Sequence, residues 1–135
     1  MTDRERAIIT AYTGKSLMGH LGVFEFRTYL QGLKCPNVRI DNPTKDFENE
    51  ELHELSKQDF IGLCESNSIT DDEKAIISAY TGYAMLTGEK WDYFQSYLEK
   101  LAERPIWTHE LGSNDKLLDD LTSKAKIEYE KMRGK

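Results

Sequence analysis

Residues 2–14 read TDRERAIITAYTG, and residues 70–82 read TDDEKAIISAYTG. The offset between them is 68 positions in a chain of 135 residues, so the second stretch begins close to the midpoint. The match continues without a gap into a second set of apolar positions. These are Phe26, Tyr29, Leu30 and Leu33 in one half and Phe94, Tyr97, Leu98 and Leu101 in the other. We interpret the pattern as a tandem duplication, with residues 1–68 as the first copy and residues 69–135 as the second.

Each repeated stretch carries the start and stop signals of one α-helix. Thr2 followed three residues later by Glu5 is a capping box, and the second copy repeats it. Alanine and isoleucine then recur at helical spacing. The glycine of AYTG favours the left-handed conformation that closes a helix, so we predict that the first helices end at Gly14 and Gly82.

Two further helices are predicted in each copy. An amphipathic pattern rich in aromatic residues covers about 23–33 and 89–103, and a proline follows each of these helices closely. A leucine-rich helical pattern then starts near Phe47 and near Asp115. In the first copy, Asn42 with its following proline has the character of a cap and first helical residue.

The expected fold is mostly α-helical, with two tandem three-helix units packed with pseudo-twofold symmetry. A copy of about 67 residues buries too little surface to be stable alone, so we expect one compact domain with a shared core. Short extended segments, residues 37–40 and 106–108, follow the second helices. Their sequences also allow a short two-stranded β-ribbon.

Composition narrows the classes of function. The chain is 39% hydrophobic and 31% charged, and its net charge is −6, which disfavours direct nucleic-acid binding because that requires a basic surface. No run of eighteen apolar residues exists, so we expect no membrane span. The start, MTDRERAI, lacks the apolar core of a signal peptide, and we therefore expect a cytoplasmic protein with reduced cysteines.

Motifs for cofactors and metals are missing from the sequence. The two cysteines and three histidines have no paired metal-ligand spacing, and the phosphate-binding and nucleophile signatures are absent. We therefore predict no metal site and no cofactor, and we assign no catalytic residue. His109 with Glu110 could supply a general base, but the alternative that both bond backbone groups at a turn is favoured.

Candidate binding residues cluster in the second copy. The Tyr-Thr-Gly corner offers a hydroxyl beside a glycine turn, although a tyrosine in the core and a glycine cap form the favoured alternative. Trp91 and Trp107 make the second copy richer in aromatic surface, with core packing favoured for Trp91. The predicted binding residues are Tyr80, Thr81, Tyr83, Arg104, Trp107, Thr108, His109 and Glu110.

The combination of AIISAYTG, an aromatic helix that ends in RPIWTHEL, and a leucine-rich helix resembles a small uncharacterised domain of bacteriophages and of mobile elements of Gram-positive bacteria. Residues 79–82 and 104–111 carry this pattern in the second copy. The first copy keeps AYTG at residues 11–14 but reads CPNVRI at 35–40, so it is degenerate. The resemblance implies a phage or mobile-element setting and no particular reaction.

The sequence supports three hypotheses for function. The first is a non-enzymatic binding protein of phage or mobile-element origin that docks on a host protein and inhibits a bacterial defence system. The second is a protein that sequesters a small ligand such as a nucleotide signal, with Arg104 and Trp107 among its binding groups. The third is a hydrolase that uses His109 and Glu110. Homo-oligomer formation is left open.

Overall fold

The computed structural model describes residues 1–34, 37–86, 88–107 and 110–134, without the side chains of residues 111 and 112. The described residues form α-helices and two 3₁₀ turns, and they contain no strand, so the chain is mostly α-helical as predicted. The 3₁₀ turns are His20–Gly22 and Gly88–Lys90. The α-helices are α1 (Asp3–Thr13), α2 (Val23–Gly32), α3 (Glu50–Leu63), α4 (Asp71–Thr81), α5 (Trp91–Ala102), α6 (Glu110–Ser113) and α7 (Asp115–Lys131).

The chain divides into two compact units. Unit 1 comprises Met1–Ile69 together with Met132–Lys135, and unit 2 comprises Thr70–Lys131. The predicted packing of the two copies around one shared core stays a prediction.

Within unit 1, α1 packs against α2 and α3. Tyr12 near the end of α1 stacks on two rings of α3, with centroids 4.2 Å from His53 and 4.3 Å from Phe60. These stacked rings fix where the last helix of the unit crosses the first. The fully buried apolar side chains of unit 1 include Ala7, Ile9, Leu17, Met18, Phe26 and Leu52.

Within unit 2, α4 packs against α7 and α5. Tyr80, the counterpart of Tyr12, contacts Tyr129 of α7 with ring centroids 4.9 Å apart. A core cluster of Leu98, Ile106, Leu117 and Leu121 lies between α5 and α7. In each unit, therefore, a tyrosine at the end of the first helix meets an aromatic ring of the last long helix.

The turn after the first helix is built in the same way in both units. Thr13 and Thr81 each donate a hydroxyl hydrogen bond of 2.6 Å to the carbonyl four residues earlier. The same hydroxyl oxygens accept the N–H groups of Lys15 and Tyr83. The glycine between adopts the left-handed conformation at both sites, as predicted. The AYTG pattern is thus a helix-ending turn whose threonine bonds are satisfied locally.

Helix α3 begins later than predicted. The helix predicted to start near Phe47 starts at Glu50, and its cap is Asn49, whose side chain accepts the Leu52 N–H at 2.9 Å. The prediction that Asn42 and its following proline are a cap and first helical residue was wrong. Phe47 instead donates its N–H to the Gly14 carbonyl at 2.8 Å. This backbone bond to the turn after α1 holds the segment in an irregular conformation before the helix can start.

The two-stranded β-ribbon predicted for residues 37–40 and 106–108 is absent from the described residues of these segments. The backbone of Ile106 explains this on one side. Its N–H donates to the Glu99 carboxylate at 3.2 Å, and its carbonyl accepts from the Gln95 amide at 3.0 Å. Because side chains of α5 occupy both groups, Ile106 has no backbone group left for a strand partner.

The second helices end before their prolines for a reason that the sequence did not indicate. Glu103 caps α5 in the left-handed conformation with φ 59°, two residues before Pro105. Lys34 also has positive φ, at 54°, after α2. Non-glycine residues seldom adopt this conformation, so the turns are fixed by their surroundings and not by residue type.

The carboxyl-terminal tail belongs to unit 1. The Gly134 N–H donates to the Leu17 carbonyl at 2.8 Å, and the Met132 carbonyl accepts from the Arg6 guanidinium at 3.1 Å. Arg133 donates to backbone carbonyls of Ser16 and Thr44. These paired backbone groups hold a chain terminus, a part of a protein that is poorly ordered unless it is bound in this way.

Glu5 connects the start of α1 to residues 66–68, which precede the passage of the chain into unit 2. Its carboxylate accepts the Thr2 N–H at 2.8 Å and the hydroxyls of Ser66 and Ser68. Burial alone would raise the pKa of Glu5, but these hydrogen bonds, led by the one from Ser68, lower it to about 2. The ionised carboxylate is therefore part of the folded state.

The two glycine turns give a first test, because only their surroundings differ. Gly14 and Gly82 have φ of 73° and 81°, but a Cβ on Gly14 would lie 2.1 Å from the Phe47 carbonyl oxygen, whereas none of the described atoms lies within 4 Å at Gly82. Gly82→Ala should cost about 1 kcal/mol from the left-handed conformation. Gly14→Ala should cost about 2–4 kcal/mol, since the backbone must also move. Equal losses in urea unfolding followed by circular dichroism would contradict the described turn.

The Glu5 network gives a second test. The folded-state pKa lies below the ordinary 4.5, so the stabilisation is complete above pH 4.5 and is lost as the pH falls towards 2. This shift corresponds to about 3 kcal/mol, and Glu5→Gln should remove most of it at pH 7 and flatten acid unfolding between pH 5 and 2. Glu73→Gln at the matching capping position is the control and should cost less than about 1 kcal/mol, since glutamine also serves in a capping box. Equal losses would show that the serine bonds contribute nothing.

Candidate functional site

The Trp107 corner, residues 104–107 with Glu110, is the most exposed aromatic feature of unit 2. Ile106 is buried in the core cluster, and its backbone is bonded on both sides by side chains of α5. The next residue, Trp107, leaves 68% of its surface exposed. Because Ile106 is buried and hydrogen-bonded, the adjacent Trp107 has a fixed position on the surface.

An ion pair braces this corner. The two terminal guanidinium nitrogens of Arg104 donate to the Glu110 carboxylate, at 3.3 and 2.9 Å. The same carboxylate accepts the Trp107 N–H at 3.2 Å, and the Glu110 N–H donates to the Trp107 carbonyl at 2.9 Å. The hydrogen bonds that Arg104 donates to Glu110 also raise the pKa of Arg104 above its ordinary value. The fork geometry sets the orientation of the backbone that carries the indole.

This brace bears on the chemistry of Glu110. Its carboxylate is held by a guanidinium and by a backbone N–H, as the interpretation of Glu110 as a turn residue predicts. A general base must instead have an oxygen within reach of a substrate proton. The described geometry therefore favours a structural and positioning role for Glu110.

Tyr80 and Thr81 line a separate groove of about 370 Å³. Its wall is mostly apolar, and Trp91, which is 38% exposed, lies against Phe94 with ring centroids 5.7 Å apart. The Thr81 hydroxyl is already bonded to Ile77. The Thr81 hydroxyl, which was expected to be available for binding, is thus part of the turn. The rings of Tyr80, Trp91 and Phe94 form part of the groove wall.

The predicted site residues therefore fall into separate places. Tyr80 and Thr81 share the groove, whereas Arg104, Trp107 and Glu110 form the corner. Tyr83 is 37% exposed and follows the glycine turn. Thr108 and His109 lie outside the described residues, so their predicted role stays a prediction.

Sequence reasoning missed a larger groove of about 700 Å³ between α4, α5 and α7. Two tyrosines one helical turn apart, Tyr93 and Tyr97, form part of its wall. Tyr93 donates its hydroxyl to Asp72. The i, i+4 spacing of the tyrosines could have indicated a shared face, but tyrosine at helical spacing usually indicates core.

Two negative observations apply to the described part of the chain. No group of three or more histidine, cysteine, aspartate or glutamate side chains there could hold a metal ion. None of its helices combines the length and apolar character needed to cross a bilayer.

Comparison with known proteins found a family match in the second half of the chain. Residues 72–135 match a family described as a domain of unknown function (DUF7736). The match includes the Trp107 corner and the two grooves described above. Comparisons with curated proteins and with solved structures found no match.

Proposed function

We propose that the chain is a non-enzymatic binding protein that docks on a host protein through the Trp107 corner. The observation that carries the proposal is the 68% exposure of Trp107 on a turn held by Ile106 and by the Arg104–Glu110 pair. Tryptophan and arginine are enriched among residues that dominate binding energy. A fixed indole also loses little conformational entropy on association.

Charge supports a partner with a basic surface near an apolar pocket. Unit 2 contains 13 acidic and 8 basic side chains, a net charge of −5, against −6 for the whole chain. Complementary charge steers encounter, while an inserted aromatic ring provides most of the affinity. The indole would therefore enter a pocket whose rim carries lysine or arginine.

The biological setting follows from the resemblance of the AYTG and RPIWTHEL patterns to a domain of phages and mobile elements. We propose that the protein acts in the cytoplasm of a bacterial host and inhibits a defence system by occupying one of its proteins. Sequestration of a nucleotide signal is less well supported, because the Arg104 guanidinium is already paired with Glu110. A hydrolase would need His109 as its base, since the Glu110 carboxylate is engaged.

We also propose that the two copies descend from one duplicated unit. The capping boxes, the glycine turns and the threonine bonds recur at matching positions in both copies and support this origin. The RPIWTHEL stretch has no counterpart in the first copy, so the docking function would belong to the second copy alone.

Trp107→Ala tests the docking proposal. Because the indole is exposed, the free energy of unfolding of the variant should lie within about 0.5 kcal/mol of that of the unchanged chain. The unchanged chain should first capture a stoichiometric partner from a Gram-positive bacterial lysate. Titration of Trp107→Ala with that purified partner should then show an affinity about thirtyfold or more below that of the unchanged chain, as expected for a residue that contributes about 2 kcal/mol to binding.

Phe24→Ala is the matched control, because Phe24 is an aromatic residue of unit 1 with 79% exposure. It should bind the partner as the unchanged chain does. Glu110→Gln keeps the indole but weakens the brace, and should lose less affinity than Trp107→Ala. A partner that binds all three variants equally well would refute docking through this corner.

A further inference from the structure

The 370 Å³ groove of unit 2, which we call the Gly82 groove, has a filled counterpart in unit 1. Its wall includes Gly82 and Phe94, and the matching positions of unit 1 are Gly14 and Phe26. In unit 1 the site holds Phe47. The N–H of Phe47 donates to the Gly14 carbonyl at 2.8 Å, and its ring meets that of Phe26 edge-on, with centroids 6.2 Å apart. Unit 1 therefore shows how a non-helical segment with a phenylalanine is held at this site.

Burial differs between the two sites although the residue types match. In unit 1, Gly14 and Phe26 are both buried. In unit 2, Gly82 is exposed and Phe94 is half-buried. A Cβ on Gly14 would lie 2.1 Å from the Phe47 carbonyl oxygen, but none of the described atoms lies within 4 Å of one on Gly82. The surface that unit 1 covers with its own chain is thus uncovered in the part of unit 2 that the structure describes.

The connection before the last long helix accounts for this difference. It comprises residues 33–49 in unit 1 and residues 103–114 in unit 2, so it is shorter in unit 2. Phe47 lies two positions before the asparagine that caps α3. The residue two positions before the asparagine that caps α7 is Gly112, and glycine has no ring. Unit 2 therefore supplies no phenylalanine from the position that fills the site in unit 1.

The groups that hold Phe47 in unit 1 are present in unit 2. Among the described residues, no N–H or O–H group donates to the carbonyl of the exposed Gly82. The aromatic wall is larger than in unit 1, because Trp91 takes the position of Val23 and lies against Phe94. An accessible backbone acceptor beside aromatic rings is suited to a peptide that provides an N–H and an aromatic side chain.

The segment of this chain that carries Phe47 is not available to fill the groove of a second copy. Two further bonds hold it in unit 1. The Asp46 carboxylate accepts the Ser16 N–H at 2.9 Å, and the Thr44 carbonyl accepts from the Arg133 guanidinium at 3.0 Å. Release of the segment would break these bonds and expose core side chains of unit 1 to water. A segment of another protein is therefore the occupant that the contacts favour.

We propose that the Gly82 groove binds a non-helical segment of another protein that contains a phenylalanine. The N–H of this phenylalanine donates to the Gly82 carbonyl, and its ring lies against Phe94 and Trp91. The main-chain bond contributes affinity, and the pocket for the ring provides specificity. Trp107 does not line this groove, so the inference goes beyond docking through the Trp107 corner.

A peptide with the sequence of residues 42–49, NPTKDFEN, with both ends blocked, is the probe. Titration into the full chain, followed by amide chemical shifts in nuclear magnetic resonance, should saturate below about 5 mM and should shift Gly82, Trp91 and Phe94. The same peptide with Phe47→Ala is the matched probe and should bind at least about fivefold more weakly. No saturable shift, equal affinity for the two peptides, or shifts confined to unit 1 overturns the proposal.

A third peptide tests the backbone bond. Methylation of the Phe47 nitrogen keeps the ring and removes the N–H that the Gly82 carbonyl is expected to accept. Because a hydrogen bond of this kind is lost, the methylated peptide should bind about fivefold more weakly than NPTKDFEN. Undiminished binding would refute the assigned bond to Gly82.

Variants of the full chain locate the site. Gly82→Ala places a Cβ where the Phe47 carbonyl passes Gly14 in unit 1, and it should weaken binding of NPTKDFEN about tenfold or more. Trp91→Ala should weaken binding about fivefold. Tyr93→Ala is the control, because Tyr93 is on the same helix and 40% exposed but does not line the groove. Binding by Trp91→Ala that equals binding by Tyr93→Ala would refute the groove as the site.

Two measurements separate this proposal from other sites and occupants. Trp107→Ala should bind NPTKDFEN with the affinity of the unchanged chain, and a loss of binding in that variant would place the peptide at the corner and overturn the groove. Sedimentation of the chain alone should show a monomer. A dimer that Trp91→Ala abolishes would identify a second copy as the occupant and would overturn the assignment to another protein.

Discussion

The tyrosine that ends the first helix of each unit sets the arrangement of the helices around it. Tyr12 stacks between rings of α3, and Tyr80 contacts the ring of Tyr129 on α7. Aromatic pairs of this kind bury a large area and prefer a few relative orientations, so they fix position as well as contribute stability.

The parts of the fold that follow from local chemistry could be predicted from the sequence. The capping box at Thr2 and the glycine stop at Gly14 involve residues within a few positions of each other, and the structure reproduces both. The irregular conformation of the segment before α3 could not be predicted, because it depends on a bond between Phe47 and Gly14, which are far apart in the chain. Sequence patterns indicate interactions between residues that are close in the chain, and not between residues that are far apart in it.

The candidate site was predictable to a similar extent. Trp107 was identified as an unusual aromatic residue, but the pairing of Glu110 with Arg104 across the turn required coordinates. The groove lined by Tyr93 and Tyr97 was missed altogether, because the sequence does not show that the buried Tyr97 hydroxyl lacks a hydrogen-bond partner among the described residues. A periodic tyrosine in a helix has the same sequence pattern whether its oxygen is bonded or not.

The return of the tail to unit 1 has a topological consequence. The chain passes from unit 1 to unit 2 after Ile69 and passes back after Lys131, so two covalent connections join the units. A single proteolytic cut between Ile69 and Thr70 would leave the fragment that carries unit 2 bound to unit 1 through Arg133 and Gly134, which bond to Ser16 and Leu17. A mechanical force applied to the two termini would act on these tail contacts before it stretched the connection between Ile69 and Thr70.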